Sequence, residues 1–135
     1  MTRLGRVALV PVAMLTLAAC SASAHADAGR RVTVRLTIHH SRYEPSTLTL
    51  PDGALVRFVV TNTDPIDHEL IVGDEATQNL HEFGTDTQHD GPGEVSVPAG
   101  ATRTTEIAVR HGFEYACHLP GHYAYGMRGR IRLRD

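Results

Sequence analysis

The chain has 135 residues, with 13 basic and 15 acidic side chains, nine histidines and a formal net charge of −2 at neutral pH. Every basic residue is Arg, and no basic stripe with interleaved aromatics occurs, so the electrostatic footprint of a nucleic-acid binder is absent. At 41% hydrophobic residues the chain has material for one real core, and neither a repeat nor a second domain is visible.

Arg3 and Arg6 precede an apolar run from Val7 to Ala19, and Cys20 follows. A basic start, a short apolar stretch and a small-residue junction read as a secretory signal over 1–19, removed from the working protein. The run falls short of the about 20 residues a membrane span needs. The junction Leu17-Ala-Ala-Cys20 resembles the lipobox of bacterial lipoproteins, which implies cleavage before Cys20 and lipid on its sulfur. The other reading is an ordinary signal cleaved a few residues later, after the Ala-rich Ser21 to Ala28 stretch. Residues 20–30, small and polar and including His25, form the expected tether, and 31–135 the expected domain. The protein is then expected outside the cytoplasm, anchored to a bacterial membrane by lipid, or secreted or periplasmic if Cys20 is not acylated. With Cys20 at the junction, Cys117 is the only thiol left, so no internal disulfide can form. A bound metal would account for it by holding the thiolate and shielding it from oxidation.

From there the pattern is β. Val32, Val34, Leu36 and Ile38 alternate with polar residues. Thr47–Leu50, the Pro51-Asp52-Gly53 turn and a more apolar Leu55–Val60 follow. His68 opens a strand with Leu70 and Val72 on its face. Periodicity lapses over about 74–93, an irregular or helical excursion carrying His81 and His89. Val95 and Val97, Thr102–Val109, the alternation Phe113, Tyr115, Cys117, and Arg128–Leu133 complete about eight strands. Short strands with turn punctuation and no long helix predict an all-β sandwich.

The segment Tyr115-Ala-Cys117-His-Leu-Pro-Gly-His122-Tyr-Ala-Tyr-Gly-Met127 places a thiolate, an imidazole and a thioether on one loop, spaced Cys-x4-His-x4-Met. Pro120-Gly121 reverses the chain to aim His122 back at Cys117, and Gly126 frees the approach of Met127. His68 supplies a second imidazole from a neighbouring strand. Two imidazoles and a thiolate with a weak thioether are the donors of a blue-copper electron-transfer site, and a thioether suits copper better than zinc. A set tolerable to both Cu(II) and Cu(I) lets an electron arrive with little movement. Of the other histidines, His39, His40 and His111 read as solvated, while His81 and His89 could form an auxiliary copper-loading or regulatory site with nearby carboxylates.

These segments resemble the cupredoxins, small blue-copper proteins, and the ligand-loop spacing resembles their rusticyanin and auracyanin branch. Val60-Thr-Asn62-Thr-Asp-Pro-Ile-Asp-His68-Glu-Leu-Ile-Val72 is similar to the cupredoxin strand bearing the first His ligand. The resemblance covers most of the chain from about Val32. It implies a Greek-key β-sandwich and carries copper ligation onto His68, Cys117, His122 and Met127, one ion in all, with Asn62, Glu69 and His118 bracing the ligand loops. Glu69 and His118 depart from the residues common there, and a Glu69–His118 hydrogen bond or ion pair is expected. With an ordinary pKa near 6.5, His118 could make the reduction potential depend on pH. The His-Cys-His pattern of multicopper oxidases is excluded by Ala116 and by chain length.

The expected function is a monomeric, membrane-tethered carrier of single electrons, not an enzyme and with no small-molecule substrate. Redox partner proteins would dock over His122 and an apolar rim of Leu119, Pro120 and Tyr123. The alternative is a module that delivers, stores or buffers copper outside the cytoplasm. A subunit docked permanently in a larger redox complex would differ from the carrier only in the lifetime of the contact.

Overall fold

Alternation of inward apolar and outward polar residues builds the framework. In the computed structural model, which describes residues 29–84 and 91–134, β1 (Arg31–Ile38) buries Val34, Leu36 and Ile38. Likewise β4 (Leu55–Asn62) buries Val56, Phe58 and Val60. The expected signal 1–19, Cys20, His25 and His89 lie outside the described residues. The other strands are β2 (Tyr43–Glu44), β3 (Thr47–Pro51), β5 (His68–Gly73), β6 (Glu94–Val97), β7 (Thr102–Ala108), β8 (Glu114–Ala116) and β9 (Arg128–Arg134). One helix, α1 (Glu75–Phe83), lies between β5 and β6.

The strands form two sheets, of order β2-β1-β4-β7 and β3-β9-β8-β5-β6. β1 runs parallel to β4 and β3 parallel to β9, while the remaining pairs are antiparallel. The chain changes sheet repeatedly, which gives the expected sandwich. The apolar faces enclose a core that includes Leu36, Phe58, Val60, Leu70, Val72 and Tyr115. Among the described residues, no helix is long and apolar enough to cross a membrane.

One element goes beyond the sequence reading, and the expected irregular or helical excursion takes a definite form. β2 has two residues, too few for any periodicity to register. The excursion after Gly73 is a nine-residue helix. Asp74 caps it by accepting the Thr77 amide, Glu75 lies in its first turn, and the Gly84 amide closes its end on the Leu80 carbonyl. The buried residues of α1 are Gln78 and His81, both polar, so it lacks the apolar stripe by which a core-facing helix is recognised. β5 is buried at all six positions, with the sandwich core on one face and α1 against the strand. Gln78 reaches the β5 backbone directly, its amide nitrogen 3.3 Å from the Ile71 carbonyl.

Tyr115 and Tyr43 fix the ligand-bearing end of the core. Their rings meet edge to face with centroids 5.3 Å apart. The Tyr43 hydroxyl donates to the Glu69 carbonyl, and that of Tyr115 to the Pro45 carbonyl at 2.7 Å. Across the β8–β9 ladder Tyr115 faces Gly129, and its ring occupies the space a side chain would need there. A Cβ on Gly129 would lie 2.0 Å from the Tyr115 ring. Gly129→Ala is therefore expected to displace a buried, hydrogen-bonded ring and to destabilise the fold by about 1–3 kcal/mol, measured by chemical denaturation of the metal-free protein.

Candidate metal centre

Cys117 follows β8 directly, and its amide donates to the Met127 carbonyl at 3.1 Å, closing the C-terminal loop at its neck. Within the loop the His122 amide donates to Leu119 and the Met127 amide to His122. Gly121 and Gly126 have φ of 85° and 87°, left-handed values that the two reversals require. The turn chemistry read from Pro120-Gly121 and Gly126 is thus the chemistry that folds the loop.

The donors converge. The Nδ1 atom of His122 lies 3.2 Å from Cys117 Sγ and 3.3 Å from Nδ1 of His68. Among the described residues, His68, Cys117 and His122 form a cluster whose donor atoms all lie within 4.8 Å of one another. Cys117 and His68 are buried, His122 is half-buried, and Met127, buried at 1% exposure, is tied by its backbone to both loop ligands. A thiolate and two imidazoles, with a buried Met on the same loop, are a soft donor set that suits copper.

Burial shifts both Cys117 and His122 toward their uncharged forms. Burial pushes the Cys117 thiol up to about 12, against amide N–H groups of Leu119 and Glu69 that pull the other way. Burial and then the neighbouring His68 lower the pKa of His122, leaving a lone pair available. Metal binding has to displace the thiol proton.

What orients His68 is a residue that the sequence reading did not single out. Its Nε2 lies 2.9 Å from Asp64 Oδ2, which turns Nδ1 toward the cluster. The same carboxylate accepts the amides of His40 and Ser41, both at 2.7 Å. Burial would raise the Asp64 pKa, but the Ser41 and His40 amides and the His68 ring outweigh it and hold the carboxyl below its ordinary value. Asn62 shapes the loop between β4 and His68. Its side chain accepts the Asp64 amide and donates to the carbonyls of Ile66 and Val97.

Glu69 and His118 meet through the expected hydrogen bond, made by the backbone amide and not the ring. Glu69 Oε1 accepts the His118 backbone amide at 2.6 Å, whereas the His118 ring turns toward α1. Its Nδ1 lies 2.9 Å from Glu82 Oε2 and its Nε2 2.7 Å from Gln78 Oε1. The Gln78 amide nitrogen faces the carbonyls of Ile71, Gly73 and Glu114, which fixes its oxygen toward His118. Both ring nitrogens therefore lie against oxygens of α1. Tyr123 stacks on this ring, centroids 4.6 Å apart, and donates to Glu114. The exposed aromatic that shares a groove with His122 is Tyr125, not Tyr123. His81 lies at the same helix, its Nδ1 2.9 Å from the Thr77 carbonyl and its Nε2 3.6 Å from Glu94. Gln78 and Glu82 sit one helical turn apart, a spacing legible only once α1 is recognised from its Asp74 cap.

A β-sandwich with a buried His-Cys-His cluster at one end defines a class of small metal-binding domain built around a thiolate. The family model "Cupredoxin-like domain" matches residues 10–131, and the chain belongs to that family. Two curated relatives are named copper-resistant cuproprotein CopI. That of Rubrivivax gelatinosus is 37% identical over 109 residues, covering 76% of this chain and 66% of the relative. That of Vibrio cholerae serotype O1 is 33% identical over 93 residues, covering 64% of this chain and 54% of the relative. Auracyanin B superposes with a TM-score of 0.60 at 20% identity, over 82% of this chain and 92% of that one. Auracyanin of Roseiflexus castenholzii gives 0.62 at 20% identity, over 76% and 97%. These structural likenesses establish the cupredoxin fold. Copper is the cofactor to which the family, the relatives and the donor set all point.

Asp64→Ala removes the acceptor that orients His68, and is expected to weaken copper binding by about 10–100-fold, measured by competition with a chelator. The raised Cys117 pKa has a consequence for the metal-free fold as well. Above the unfolded thiol's pKa of about 8.5, the unfolded chain has lost a proton that the folded chain keeps, so stability falls as pH rises. The buried hydroxyls of Tyr43 and Tyr115, also raised by burial, act in the same direction from about pH 10. Denaturation of the metal-free protein against pH should show this decline, with its onset moved toward that of the tyrosines in Cys117→Ala.

Proposed function

We infer that the chain is a type 1 copper protein that carries single electrons, with His68, Cys117, His122 and Met127 as ligands. One observation carries the reading: three donors already converge in a buried cluster braced by Asp64, Glu69 and the loop's own amides. When bound, copper supplies a one-electron couple. The scaffold's part is to hold the donors where neither oxidation state demands much rearrangement, and to exclude water. His122 is the most exposed of the four, and its outer edge is the electron port. Beside it lie Pro120 and the 85%-exposed Tyr125, a small surface suited to brief redox encounters. The domain acts as a monomer outside the cytoplasm, tethered through lipid on Cys20.

A second reading, copper handling in resistance, is favoured by the printed names of the two relatives, of which this chain spans about two thirds and about half. The two readings share the site and part on kinetics. A carrier exchanges electrons fast and copper slowly; a handling module releases Cu(I) readily to an acceptor.

One equivalent of Cu(II) added to the metal-free protein should give an intense blue or green absorption that bleaches with a mild reductant and is missing in Cys117→Ala. Ordinary Cu(II) signals without that absorption would sink the reading. Tyr125→Asp should leave the absorption unchanged and slow electron exchange with a protein partner in stopped-flow mixing. An unchanged rate would place the port elsewhere.

A further inference from the structure

The turn after β1 carries two adjacent imidazoles, His39 and His40, both exposed, with ring centroids 3.8 Å apart. Its backbone is unusual. His40 and Ser41 have φ of 50° and 53°, in the left-handed region that a residue with a Cβ enters at a cost. Glycine would occupy either position without that cost. Strained backbone of this kind persists where surrounding structure over-determines it, and it concentrates at functional sites.

Asp64 does the over-determining. Its two oxygens take the amides of His40 and Ser41, and Oδ2 also lies 2.9 Å from Nε2 of His68. One buried carboxylate thus locks the imidazole-bearing turn and the first copper ligand together. Between this turn and the C-terminal loop lies a groove of about 390 Å³, lined by His40, Ser41, Arg42, Pro120, His122 and Tyr125. Cys117, His68 and Met127 are exposed by 1% or less, whereas His122 is half-buried and lines the groove.

We propose that His40, backed by His39, is a copper acquisition site that takes the ion from solution and passes it to the buried donors by way of His122. Imidazole is a good donor to copper, and His40 lines the groove while His39 stacks beside it with its Nδ1 3.1 Å from the Thr63 hydroxyl. Arg42 in the same groove disfavours a lasting cation, which suits a station the ion leaves. The ion keeps its oxidation state throughout. His122 replaces the surface imidazoles, then Cys117 and His68 complete the set, and the proton displaced from the Cys117 thiol goes to water. This proposal rests on the reading of the buried cluster as a copper centre, and explains how a cluster so enclosed is filled.

The test follows the growth of the thiolate–copper absorption after metal-free protein is mixed with Cu(II) buffered by glycine. In the double variant His39→Gln/His40→Gln the loading rate should fall by about tenfold, on the scale of removing a residue that supports a metal site. Final absorption and equilibrium affinity should match the parent. His40→Gly separates donor from fold, because it relieves the positive φ. Its melting temperature should be no lower than the parent's while loading is slowed. Unchanged loading in the double variant, with normal colour, overturns the acquisition site alone. A parent that never develops the absorption overturns the buried centre and the proposal together.

Discussion

The burial of β5 on both faces is the constraint on which the molecule turns. A strand enclosed by the sandwich on one side and covered by a helix on the other has no freedom to slip, and His68 stands at its first residue. The neighbouring strand β8 delivers Cys117 at the same end, paired to β5 through Ile71 and Ala116. Two ligands from adjacent strands of one sheet inherit the precision of the ladder between them. The loop that carries His122 and Met127 need only be closed at its neck, and the Cys117–Met127 hydrogen bond closes it.

The helix that encloses β5 serves the centre a second time. Gln78 is spent on three backbone carbonyls, so its oxygen faces the His118 ring in a fixed orientation, and Glu82 meets the other side of that ring. Tyr123 lies flat on it. His118, next in sequence to the thiolate, is thereby packed and hydrogen-bonded all round. The residue that departs from the family pattern is accommodated by another departure from plain sandwich architecture, the helix.

Most strands were legible because alternation is written into them, β2 and the wholly buried β5 excepted, and the loop because thiolate, imidazole and thioether at fixed spacing have few other uses. Gly121 and Gly126 announced the reversals that the backbone makes. What could not be read shares a physical cause. Asp64 acts across a loop, so no period links it to His68, and its hold on His40 and Ser41 joins residues more than 20 apart. α1 presents polar side chains to a polar job, so the apolar stripe expected of a packed helix is missing and the capping Asp74 was its main signal. The Glu69–His118 hydrogen bond was legible as a pairing, but not which atoms of His118 would make it. A backbone amide had the prior claim on the carboxylate, and the ring found acceptors on an element the pattern had not revealed.

The protonated state of the buried Cys117 thiol bears on how long the apoprotein can wait for its metal. Oxidants and disulfides react with thiolate, and burial holds the Cys117 sulfur in the thiol form. In an oxidising compartment an exposed cysteine of ordinary acidity would be consumed before a scarce ion reached it. The same desolvation that makes the sulfur reluctant to ionise also slows its oxidation, while a metal ion can still take the proton's place.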